Sequence, residues 1–113
     1  MFRPRSEIDP RARAQNHDIA RRREFLTFNE PTRNATIVLL QKMSQIDPET
    51  ALNLFYSQTK SMERDVQGID WMRIHFYIWG ACINDGGEWS PVQVVPKRLE
   101  QEIVVLEGLL EIK

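Results

Sequence analysis

From Pro31 onward, large apolar residues recur at three- and four-residue steps, inside runs bounded by aspartate, proline and glycine. That spacing is the helix period, and the bounding residues mark where each helix starts and stops. Thr32 or Asn34 can cap a first body helix to about Ser44, with Val38, Leu39, Met43 and Ile46 as its stripe. Asp47-Pro48-Glu49-Thr50 is the clearest boundary in the chain. A capping aspartate, a first-turn proline and an early glutamate all suit the positive end of a helix. The helix they open is expected to run to about Gln67, where Gly68 ends it. Leu52, Phe55, Thr59, Met62 and Val66 share one face.

Asp70 caps the next segment, Trp71 to about Ile83, the most apolar part of the chain. Ile69, Met72, Phe76, Trp79 and Ile83 form one helical stripe there, and Trp71, His75, Ile78 and Cys82 a second. A helix apolar on two faces belongs at the centre of a bundle. The same residues also alternate as a strand would, but the length and the cap favour helix. On this reading Phe76 is a core residue. Asn84-Asp85-Gly86-Gly87 reads as a turn, and residues 91–95 as one further turn or an extended link. The last helix runs from Pro96 to about Glu111, with Leu99, Ile103, Leu106 and Leu110 as its stripe. Val104, Val105 and Leu109 widen that face beyond one seam, which leaves surface for a homo-oligomer contact. The fold class expected is all-α, a small compact bundle of four helices.

Residues 1–34 differ from this body, expected at residues 35–113. They hold eight arginines and no lysine, against five acids, a net charge of +3 in a chain whose total is −1. Asp9-Pro10 starts a polar helix to about residue 24, whose apolar stripe is thin. This is an Arg-rich N-terminal arm, and the body is expected to fold without it. Arginine makes planar, bidentate contacts with carboxylate and phosphate, which points the arm at an acidic partner. The arm residues singled out for partner binding are Arg11, Arg13, Arg21, Arg22 and Arg23, joined by Trp71 at a helix start and Trp89 in a loop.

Little here points to chemistry. Cys82 is the sole cysteine, so an internal disulfide and a multi-cysteine zinc site are excluded. His17 and His75 have no metal-ligand spacing, and no calcium or phosphate loop surrounds Gly86-Gly87. His75 has no nucleophile or carboxylate at a local spacing that would make it a catalytic base. No apolar run approaches the ~18–20 residues of a membrane span, and the N-terminus has no apolar block of a signal peptide. The expectation is a cytoplasmic or virion-associated protein, with no catalytic residue, metal or cofactor. It is a non-enzymatic interaction or assembly component, such as a viral structural protein or a host-directed inhibitor, docking through its arm. One alternative is a small nucleic-acid-binding accessory protein, since basic arms bind phosphate backbones in a salt-dependent way. Another is a small-molecule or nucleotide binder with a pocket near Trp71, His75 and Trp89.

Overall fold

The computed structural model describes residues 10–60 and 67–111, with side chains from His17 on. It is mostly helical: α1 (Pro10–Leu26), α2 (Glu30–Ser44), α3 (Pro48–Thr59), α4 (Trp71–Cys82) and α5 (Pro96–Glu111). Two short strands, β1 (Ile83–Asn84) and β2 (Gln93–Val94), pair antiparallel between α4 and α5. This is the all-α bundle expected, with a minor ribbon at one end where an extended link was expected.

The caps explain the boundaries. Asp47 accepts from the Thr50 backbone N–H at 3.0 Å and from its hydroxyl at 2.6 Å, so α3 begins where the Asp-Pro signal put it. Asp70 accepts from the Arg73 N–H at 3.2 Å and opens α4. The α2 cap is Asn29 rather than Thr32 or Asn34; its side chain accepts from Thr32 N–H, and Pro31 falls inside the first turn. Asn29 also donates to the Gly68 carbonyl at 2.9 Å. The hydroxyl of buried Thr32, not needed as a cap, accepts instead from the Asp70 N–H at 3.0 Å. These bonds tie the α1–α2 corner to the turn before α4. Gly68 takes φ +80, which only glycine adopts without strain. The helix expected to reach Gln67 ends at Thr59, and Met62 and Val66 lie outside the described residues.

α4 packs against α1, α2, α3 and α5, the central place its two apolar faces required. Its core face, however, is Ile74, Tyr77, Ile78, Ala81 and Cys82. The stripe through Met72 and Phe76 turns outward: Phe76 is 66% exposed, so the expectation of a core phenylalanine there is overturned. Both stripes are apolar, and periodicity alone does not say which one the other helices cover.

The boundary expected between residues 34 and 35 falls inside α2. The core draws Phe25, Phe28 and Thr32 from before it. Phe25 and Phe28 lie with ring centroids 5.5 Å apart and 5.7 and 6.2 Å from Tyr77, an aromatic trio that fastens the end of α1 to α4. Leu99 and Leu106 of α5 are buried, and Ile103 and Leu110 half-buried, so this stripe is placed as expected.

Candidate functional site

The three consecutive arginines do not form one clamp. Successive residues on a helix point about 100° apart, and each of the three meets a different environment. Arg23 is exposed. Arg21 pairs with Asp18 one turn earlier and lies across Gly80 of α4, where an added Cβ would come within 2.9 Å of its Cδ. Arg22 reaches α5, where its Nη2 and Nε donate to the carboxylate of Glu102 at 3.1 and 3.4 Å. The side chains of Arg11 and Arg13 lie outside the described residues, although their backbone belongs to α1.

Glu102 is the residue that sequence reasoning missed. Its side chain is 7% exposed, while its partner Arg22 keeps 30%. The Tyr77 hydroxyl donates to the carboxylate as well. A buried carboxylate is tolerated only when paired and hydrogen-bonded, and α1, α4 and α5 each contribute one member of this trio. The bond to Glu102 raises the Arg22 pKa, and burial first, then the nearby carboxylate, raises that of Tyr77. The signal was present in the sequence: Glu102 lies three residues after Leu99 and four before Leu106, on the core face of α5.

Beside the Arg22–Glu102 pair opens a cavity of about 250 Å³ between α1, α4 and α5. A second concavity, of about 300 Å³ and largely apolar, runs between Pro31, Val38, Leu39, Ile69 and Trp71. Trp71 is half-buried in its wall. Trp89 stands 89% exposed in the turn beyond the far end of α4. The 12 residues of that helix, roughly 18 Å in length, lie between the two tryptophans, and neither His75 nor Trp89 lines the concavity at Trp71.

His75 belongs to an aromatic layer between α3 and α4. Its ring stacks on Phe55 at 4.8 Å and on Trp79 at 6.1 Å, and meets Phe76 edge-on at 5.6 Å. Tyr56 extends the layer, 6.5 Å from Trp79. The Thr59 hydroxyl lies 2.8 Å from the Phe55 carbonyl and 2.9 Å from His75 Nδ1. A carbonyl only accepts, so the hydroxyl donates to it, and Nδ1–H donates to the hydroxyl oxygen. His75 is thereby held inside the layer, which Phe76 and Tyr56 carry to the surface.

No family model matches this chain, and no curated protein or solved structure matches it. Among the described residues no group of histidines, cysteines and carboxylates is placed to hold a metal ion. No helix is long and apolar enough to cross a membrane, again among the described residues.

Burial also lowers the pKa of His75 below its usual value near 6.5. Folding favours the neutral ring, so this contribution is complete above about pH 6.5 and is lost as pH falls from there through the folded-state value. The urea midpoint of the wild type is expected to drop more between pH 7 and pH 5 than that of His75→Gln. Equal pH slopes would show that His75 is not linked to stability.

Proposed function

We propose that this chain is a non-enzymatic interaction protein that docks a protein partner through the outward face of α4, with α1 forming the basic edge of the surface. The observation that carries this is the exposure of Phe76 at 66% and Met72 at 47% on a helix whose opposite face is core. Large apolar side chains grouped on a surface mark interaction sites, and aromatics dominate binding energy when a partner desolvates them. A dent of about 200 Å³ between α1 and α4 is lined by Phe76, Tyr77, Arg21, Arg73 and Glu24. Arg73 is steadied there by Glu24 at 3.2 Å and by the Phe28 ring, 4.9 Å below its guanidinium.

Two guanidiniums beside an exposed phenylalanine suit a segment that presents an apolar side chain flanked by carboxylates. This keeps an acidic partner for the Arg-rich arm but places the docking energy on α4. A non-enzymatic role is supported by Glu102, the buried carboxylate, being held by Arg22 and Tyr77. A component of a larger assembly, in the cytoplasm or in a virus particle, is the setting this design suits.

The test is capture from the native host with wild type and Phe76→Ser side by side, followed by titration of the purified partner. The serine variant is expected to weaken binding on the order of thirtyfold, the equivalent of losing a contact worth roughly 2 kcal/mol. Unchanged affinity would overturn this surface. Binding to DNA or RNA with a steep salt dependence, unaffected by Phe76→Ser, would favour the basic arm as a nucleic-acid site instead. Self-association abolished by Phe76→Ser would make the partner a second copy of this chain.

A further inference from the structure

The cavity between α1, α4 and α5 has more positive than negative charge on its walls. Arg21, Arg22 and Arg98 face two carboxylates, Asp18 and Glu102. Arg22 is committed to Glu102 and the terminal nitrogen of Arg21 to Asp18. Arg98 has no carboxylate partner among the described residues. The Nε of Arg21 is buried and has no acceptor among the described residues. Arg98 is thus the charge on these walls left free for a bound anion, and Arg21 lines the same cavity.

We propose that this cavity is a binding site for a phosphate-class oxyanion, inorganic phosphate or a small phosphomonoester, held between Arg21 and Arg98. The forked geometry of guanidinium matches such an oxyanion, and Arg98 supplies the one positive charge that the two carboxylates of the cavity wall leave uncompensated. Gln101 and His17, both exposed at the mouth, add further donors. The volume of about 250 Å³ takes a four-oxygen anion together with several waters, each of which fills ~30 Å³ in the liquid. Gly80 is part of the design. Its missing side chain lets Arg21 lie flat on α4 with its guanidinium at the cavity wall; a Cβ 2.9 Å from Arg21 Cδ would lift the arginine away.

This site shares Arg21 with the edge of the α4 docking face, but Arg98 and Gly80 belong to it alone. It is tested by calorimetric titration of the full chain with sodium phosphate and, separately, adenosine monophosphate, at constant ionic strength against sodium chloride. Saturable binding of phosphate that chloride does not reproduce is expected. Adenosine monophosphate binding more tightly than phosphate identifies an organic phosphate as the better ligand. Arg98→Gln, a substitution at an exposed position, is expected to weaken binding about tenfold or more. Gly80→Ala keeps every charge and is expected to weaken it as well, and Phe76→Ser to leave it unchanged. An equal heat with chloride, or full affinity in both Arg98→Gln and Gly80→Ala, would overturn the proposal.

Discussion

Phe25→Ala is expected to destabilise the chain by roughly 3–5 kcal/mol, and Phe76→Ala by less than about 1 kcal/mol. Both phenylalanines sit in helical segments, but they end in opposite environments. Phe25 is 0% exposed and packs against Phe28 and Tyr77. Truncating it loses the transfer energy of the ring and leaves a cavity that the surrounding helices fill only in part. A domain of this size is typically stable by about 5–15 kcal/mol, so the Phe25 variant should lose a large share of its folding free energy. Urea unfolding followed by circular dichroism measures both. A small loss at Phe25 would mean that α1 is an appendage, as its thin apolar stripe suggests, and that residues 35–113 stand alone. The structure argues the reverse, because the end of α1 and the turn after it carry two core aromatics.

Arg22→Ala should cost roughly 3 kcal/mol, the low end of the range for breaking a buried pair, since the Arg22 side chain keeps 30% of its surface. The loss comes less from the ion pair than from what remains: the buried Glu102 carboxyl would be left with only the Tyr77 hydroxyl as a partner. That distinction is measurable. In the Arg22→Ala background, Glu102→Gln should recover much of the stability, because a neutral amide is easier to bury than an unpaired carboxylate. If the double variant is as unstable as Arg22→Ala alone, the penalty is lost packing along the arginine stem and not the stranded charge.

How far the fold can be read from sequence depends on the kind of signal. Asp47-Pro48 and Asp70 are legible because a cap acts through bonds to its own next turn, which the spacing specifies. Leu99 and Leu106 are legible because α5 has one wide apolar face. On α4 the two stripes are similar in apolar character, and the choice between them depends on Phe25 and Phe28 arriving from before α2 to cover Tyr77. No local pattern contains that information. The site is least legible for the same reason. Arg21, Arg22 and Arg23 look alike in sequence, and become different only when Gly80, Glu102 and solvent are set opposite them. Glu102 itself escapes notice because a charge inside an apolar stripe is easily read as an interruption, when it marks the place where three helices share a bond.

Cys82 gives the molecule an internal clock. The chain's one thiol is wholly buried, and desolvation, aided by the nearby Glu102, pushes its pKa up to about 12. Alkylating reagents and oxidants attack the thiolate, so Cys82 is silent toward both in the folded chain. Reaction waits for α4 to lift from its neighbours, and the rate of labelling then counts the openings of the core.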